Sequence, residues 1–331
     1  MTIRELSERW PWVDDFFSAH RIDAQASPEL RFPQVAEGLD EGFLAELGCS
    51  REQLLEDFAL FIGHMLAFQE EQGGRRRVER LGVLPGFDKQ GVPERHALEL
   101  VPGRINALVG PTGAGKSRLL EDIECLAQGD TPTRRRILVN GQAPPEELRF
   151  ATEERLIAQL SQNMNFVMDL SVEDFLTLHA ESRMVEQVSQ TVSSIFEAAN
   201  ELAGERFARH TPITQLSGGQ SRSLMIADTA LLSRAPVVLI DEIENAGVDK
   251  VRALELLVSR NKVVLLSTHD PVLALSAHQR VIIRNGGIHA ILETSDGERG
   301  CLEELKLLDA SMARIRHILR IGETITPGDL P

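Results

Sequence analysis

Gly110-Pro111-Thr112-Gly113-Ala114-Gly115-Lys116-Ser117 lies between the apolar run Ile105-Asn106-Ala107-Leu108-Val109 and a helical pattern over residues 118–127. The order is strand, glycine-rich loop, helix, and in that order the spacing G-x-x-x-x-G-K-S has a mechanical meaning. Glycines let consecutive backbone N–H groups turn inward at a helix N-terminus, where aligned peptide dipoles favour an anion. The spacing predicts that Gly110, Pro111, Thr112, Gly113, Ala114 and Gly115 cradle a triphosphate. Lys116 then reaches the β- and γ-phosphates, and the Ser117 hydroxyl ligates Mg2+.

The rest of the composition bounds what surrounds that loop. The 331 residues, 42% hydrophobic and 26% charged, suffice for one large domain and a smaller appendage. No run approaches the roughly 18 apolar residues that span a bilayer. The stretch Met1-Thr2-Ile3-Arg4-Glu5-Leu6 offers neither an apolar signal core nor a small-residue cleavage site. A cytoplasmic chain without membrane insertion is expected. Cys49, Cys125 and Cys301 are odd in number and widely spaced, so buried free thiols are expected rather than disulfides or a C-x-x-C site. A net charge of −15 opposes attraction to phosphate backbones, which makes nucleic acid an unexpected partner. Arg75-Arg76-Arg77, a compact basic run, reads as part of a solvated linker.

Residues 1–72 read as a small helical domain and 73–77 as a polar linker. Thr2 and Glu5 have capping-box spacing, Ser27-Pro28-Glu29 places a cap before a first-turn proline, and Ser50 and Gln53 repeat the box. These starts predict three or four short helices. In the last, Leu54, Leu55, Phe58, Phe61, Ile62, Met65 and Leu66 recur at helical spacing, and Gly73-Gly74 supplies the stop. Phe58, Phe61, Met65 and Phe68 either close a small core or dock a partner. On Thr2 to Leu6, Pro11 to Phe17 and Gly48 to Leu55 this region resembles a small helical module of bacterial proteins linked to hybrid-cluster and iron–sulphur repair chemistry. The adjacent cysteine pair of one branch of those modules is missing, because Cys49 stands alone.

From Val78 the texture turns to β. Residues 78–84 and 96–101 bracket the turn-rich segment 86–91, and residues 104–109 lead into the phosphate loop. Arg136-Ile137-Leu138-Val139 reads as a strand and residues 172–202 as a mostly helical block. Residues 236–241 and 262–267 are continuous apolar runs, the mark of strands covered on both faces. Residues 281–284 and 288–292 suggest a late hairpin, and 303–321 an amphipathic helix. The domain reading is therefore a nucleotide-binding domain over 78–295, followed by a C-terminal helix and tail over 296–331.

Leu216-Ser217-Gly218-Gly219-Gln220 opens a helix downstream of the loop, and an apolar strand then ends in Asp241-Glu242. In this order the chain resembles the ATP-binding cassette (ABC) family, over about Val78 to Leu292. The resemblance implies an α/β P-loop NTPase fold with a mixed sheet, an antiparallel β subdomain and a helical subdomain, here joined to a small all-α N-terminal domain. It implies ATP and Mg2+ as ligands and ATP hydrolysis as the activity. It also implies that Ser217, Gly218, Gly219 and Gln220 of one subunit close over the nucleotide held by another, in an ATP-dependent head-to-tail homodimer.

Asp241 is placed to hold the Mg2+ shell and Glu242 to polarise the attacking water. His269, after the run Val263 to Thr268, falls where the family's switch histidine senses the γ-phosphate. Gln162 resembles the glutamine that contacts Mg2+ and the water, with Gln159 as its alternative. From Glu242 to Asp249 the path is one residue longer than the family's usual loop and carries an extra acid, Glu244. The chain contains no tyrosine, so the aromatic that stacks on adenine is either Phe87 or absent, Phe87 then serving only to anchor a turn.

Two functions compete at this point. The favoured one is a stand-alone ATPase whose dimerisation remodels a partner protein, a metalloenzyme among the candidates, because an importer's energy subunit seldom carries such an N-terminal module. The other is the energy subunit of a transporter whose permease is a separate chain. A DNA-repair cassette is disfavoured because residues 162–216 leave no room for a coiled-coil insertion, and a translation factor because the chain holds one cassette.

Overall fold

The computed structural model describes residues 1–23, 26–73, 78–150, 155–161, 166, 168–242 and 247–326. The chain parts into two compact units. The first takes residues 1–76, 167–197 and 208–215; the second takes 77–166, 198–207 and 216–331.

The first unit opens with five helices: α1 (Ile3–Arg9), α2 (Val13–Ala19), α3 (Phe32–Glu37), α4 (Glu41–Leu47) and α5 (Arg51–Gly73). The Thr2 hydroxyl accepts from Glu5 N while the Glu5 carboxylate accepts from Thr2 N at 2.8 Å, the expected capping box. Ser50 and Gln53 cap α5 in the same reciprocal way. Ser27-Pro28 starts no α-helix. The Pro28 and Leu30 carbonyls accept from Arg4 N and Ile3 N, so that backbone pairs with the start of α1, and α3 begins only at Phe32 with Pro33 in its first turn. Aromatic rings fill the core between these helices, with Phe32 and Phe58 centroids 4.0 Å apart and Trp12 and Phe61 5.7 Å apart. Phe58, Phe61 and Met65 thus pack against that core; the Phe68 side chain lies outside the described residues. The expected linker starts on the last residue of α5, and residues 74–77 lie outside the described residues.

The helical block contributes α8 (Val172–Ser182) and the start of α9 (Val188–Leu202) to this same unit. Met184 packs on the N-terminal aromatic core. Arg209 bonds Glu173 and Ser193 and lies 4.7 Å over the Phe196 ring, tying the two helices together.

The second unit holds two sheets. β1 (Leu81–Leu84), β2 (Leu98–Leu100) and β4 (Arg136–Val139) form an antiparallel sheet of order β2-β1-β4. β3 (Ile105–Val109), β5 (Ile157–Leu160), β6 (Val237–Asp241), β7 (Val263–Ser267), β8 (Gln279–Arg284) and β9 (Gly287–Glu293) form a mixed sheet of order β5-β6-β7-β3-β8-β9, antiparallel only at β9. The helices of this unit are α6 (Lys116–Glu124), α7 (Glu146–Arg149), α10 (Gly218–Leu231), α11 (Lys250–Ser259), α12 (Pro271–Ser276) and α13 (Asp296–Arg320). Val237 and Leu239 of β6 join Leu119, Leu120 and Ile123 of α6 in one core, while Val238 and Ile240 join Ile226 of α10 and Leu254 of α11 in another. Both faces of the central strands are buried, which is why those segments read as unbroken apolar runs. Because β3, β6 and β7 are parallel, their carboxyl ends meet on one edge, where open α/β sheets place ligands.

One strand carries no sequence signal, and two expectations need correcting. β5 has only Ile157 and Leu160 buried, a spacing of three that hides a strand. α13 begins at Asp296, seven residues before the expected start; Ser295 and Glu298 cap it reciprocally, and Gly297 and Gly300 mask the helical pattern. Cys125 and Cys301 are exposed and Cys49 is half-buried, because the first two sit at the end of α6 and on the outer face of α13.

Candidate functional site

The phosphate loop leaves β3 at Val109 and enters α6 at Lys116, with Gly115 as N-cap at φ +105°. A Cβ on Gly115 would stand 2.7 Å from the Gly286 Cα in the β8–β9 turn, so both conformation and space require glycine there. Pro111, Thr112 and Gly113 form an exposed apex, whereas Ala114 is buried and accepts from Gly286 N at 2.7 Å. Lys116 is buried, and its ammonium donates to Gly110 O at 2.9 Å and Pro111 O at 3.4 Å. Ser117 is exposed on the first turn of α6.

Asp241 is the last residue of β6 and pairs with Ser267 of β7. Glu242 follows at φ +48°, a left-handed conformation uncommon for a residue with a Cβ, and its N–H donates to Ser267 O at 3.1 Å. His269 comes two residues after β7. Its Nε2 lies 3.1 Å from Lys116 Nζ and 3.8 Å from Glu242 Oε1. Three residues expected at the site from separate segments are thus brought together at the strand ends.

Ser217 caps α10: its hydroxyl accepts from Gln220 N, and the Gln220 side chain accepts from Ser217 N at 2.9 Å. Gly218 and Gly219 form the first turn. The Gln220 amide also donates to Glu205 O. Asp249 caps α11 by accepting from Arg252 N, and its own N–H donates to Leu202 O at 2.9 Å. Phe87 is half-buried with the Arg134 guanidinium 5.7 Å over its ring. Gln162 and Glu244 lie outside the described residues. Gln159, the alternative to Gln162, turns its amide to the Glu124 carboxylate of α6 at 2.9 Å.

Two features escaped the sequence reading. The first is a buried charge network behind the loop. The fully buried Arg135 bonds Asp122 of α6 at 2.9 Å, Glu94 at 2.6 Å and Gly286 O at 2.7 Å. Burial by itself would raise the Glu94 carboxyl, but the guanidinium and the N–H groups of Gly86 and Ile288 hold it below its ordinary value. Arg135 sits in the triplet Arg134-Arg135-Arg136, which reads as surface charge, and nothing local reveals its partners. The second is Arg222 of α10, nearly fully buried, which donates to Glu242 O at 2.8 Å and Ser161 O at 3.2 Å. Both of these acceptors are carbonyls, which carry no residue-type signal.

Among the described residues no group of three His, Cys, Asp or Glu side chains is placed to hold a metal. The hard oxygens of Ser117 and Asp241 still suit Mg2+, which keeps water and phosphate oxygens around one or two protein ligands. No described helix is long and apolar enough to cross a membrane.

Residues 94–245 match the ABC transporter family. An uncharacterised ABC transporter ATP-binding protein of Methanocaldococcus jannaschii is 48% identical over 254 residues, covering 76% of this chain and 97% of that protein. The lipoprotein-releasing system ATP-binding protein of Rhodopirellula baltica is 31% identical over 220 residues, 63% of this chain and 89% of that one. A solved ATP-binding cassette dimer in a post-hydrolysis state, bound to ADP and phosphate, is 23% identical over 65% of this chain and 99% of its own, with a TM-score of 0.49. With its phosphate loop, signature helix and paired acids carried through a match of this extent, the chain belongs to the ATP-binding cassette family and is an ATP hydrolase that uses ATP with Mg2+.

Proposed function

We propose that the chain is the ATP-hydrolysing subunit of a transporter whose membrane parts are separate chains, and that it works on their cytoplasmic side as an ATP-dependent head-to-tail pair. The observation that carries the site is the meeting of Lys116, His269 and Glu242 at the carboxyl ends of β3, β7 and β6. The backbone of Gly110 to Gly115 and the Lys116 ammonium hold the β- and γ-phosphates. Ser117, Asp241 and Gln162 would hold Mg2+, which would supply charge neutralisation at the phosphate oxygens. Glu242 takes a proton from the attacking water as the γ-phosphate separates from ADP, and His269 senses that phosphate. Ser217, Gly218, Gly219 and Gln220 close over the nucleotide of the other subunit, Asp249 contributes to nucleotide binding, and Phe87 stacks on adenine. Residues 1–72 form an accessory helical domain, 78–295 the cassette, and 296–331 a C-terminal helix and tail.

The transporter assignment is supported by the relatives at 48% and 31% identity, both named as ATP-binding proteins of transport or release systems. A metalloenzyme partner, suggested by the N-terminal resemblance, draws no support from them.

Mixing two inactive variants tests the pair. Lys116→Ala lacks one half of the site and Ser217→Arg the other, so each is expected to be inactive, while their heterodimer holds one intact site. Recovered hydrolysis supports the pair; none on mixing, with only monomer sedimenting in ATP, overturns it. For the transporter, Glu242→Gln with ATP should co-purify with a membrane subunit, and capture of only non-membrane enzymes would overturn the assignment.

A further inference from the structure

Arg222 lies five residues after Ser217, the N-cap of α10, and its guanidinium reaches the backbone that follows two strands of the mixed sheet. It donates to Glu242 O at 2.8 Å and to Ser161 O at 3.2 Å. Those carbonyls follow β6 and β5, which lie side by side with Leu160 opposite Ile240. One buried cation therefore spans the ends of two adjacent strands from the helix that Ser217 caps. The backbone of Glu242 is held on both sides of its Cα: its N–H by Ser267 O and its C=O by Arg222.

That restraint matters because Glu242 is left-handed at φ +48°. Such a conformation costs a β-carbon residue stability and persists where its surroundings over-determine it. A charged donor buried against a carbonyl is among the stronger hydrogen bonds available to impose it. We propose that Arg222 is a positioning residue for the hydrolytic carboxylate: it fixes the peptide of Glu242, and so the direction of its side chain, from the helix that reads the opposite subunit's nucleotide. The proposal rests on the reading of Glu242 as the base.

The test is a mutant cycle on the full chain, with ATP affinity and steady-state hydrolysis read separately. Arg222→Ala should leave the Kd for ATP within about twofold and KM unchanged, while kcat falls about 10- to 100-fold. Arg222→Lys, which can reach one carbonyl, should recover part of that loss. In the Glu242→Gln background, Arg222→Ala should cost no further activity beyond about twofold, because the two residues act as a unit. A purely structural role would lower activity by the same factor in both backgrounds, and that result overturns the proposal, as does a kcat for Arg222→Ala within twofold of the parent. Should Arg222→Ala fail to fold, Arg222→Lys carries the same cycle with a several-fold loss expected. Full turnover in Glu242→Gln would overturn the base reading and the proposal together, whereas an inactive Glu242→Gln beside an active Arg222→Ala would overturn the role of Arg222 alone.

Discussion

The Lys116 ammonium stands 3.1 Å from His269 Nε2, which joins the residue opening α6 to one that follows β7 153 positions later. An ammonium can only donate, so the imidazole nitrogen facing it is an acceptor. The same nitrogen lies 3.8 Å from Glu242 Oε1, so Lys116 and Glu242 face one edge of the imidazole. His269→Ala should keep ATP binding within a few-fold and lower kcat by a factor on the order of 10². Unchanged kcat in that variant would remove His269 from the hydrolytic machinery.

Lys116 and Glu242 should separate binding from turnover. Lys116→Ala is expected to lose ATP binding in a fluorescent-nucleotide titration. Glu242→Gln is expected to bind ATP and lose turnover by a factor on the order of 10² or more. Near-normal turnover in Glu242→Gln would move the base elsewhere, with Glu244 next in the sequence.

The buried cation Arg135 should matter more to stability than any surface pair. Arg135→Met leaves the Asp122 and Glu94 carboxylates buried without their cation, a change that costs about 3–5 kcal/mol in comparable sites. The denaturant midpoint of the sheet-bearing unit should fall accordingly. A shift within the range of a surface mutation would mean that water or other donors replace the guanidinium.

His278 supplies a pH-dependent contribution whose sign can be worked out. Its Nδ1 accepts from Ile105 N at 3.0 Å, and burial, then the charges of Arg104 and Arg299, hold its pKa below the ordinary value of about 6.5. Between the folded and ordinary values the unfolded chain binds a proton that the folded chain refuses. Stability is therefore full above about pH 6.5 and is lost as the pH falls toward the folded value. Chemical denaturation between pH 7.5 and 5.5 should show this slope, and His278→Asn should flatten it. An equal slope in both proteins would assign the effect to other groups.

Much of this was legible wherever the signal lay within one short window. Gly110 to Ser117 shows strand, loop and helix within a dozen residues, and β6 and β7 announce themselves because both their faces are buried. β5 was invisible because four residues with two buried ends match no period. The grouping of α8 with the N-terminal helices rests on contacts such as that of Met184, which no local pattern encodes. Arg222 and Arg135 were missed for a related reason. Their partners are backbone carbonyls or acids 13 to 151 residues away, so only the folded chain shows what each arginine is for.

The position of β3 in the sheet sets an order of events during synthesis. β3 emerges early but lies between β7 and β8; Asn106 bonds Val264 O, 158 residues downstream, and Ile105 N bonds His278, 173 residues downstream. Until those strands leave the ribosome, the phosphate loop has its full sequence but lacks its contacts with His269 and Gly286. Pairings this distant are slow to form and leave apolar segments exposed while they wait. Nucleotide capture should thus mark a nearly finished chain, and nascent chains stalled before residue 263 should carry the loop without binding ATP.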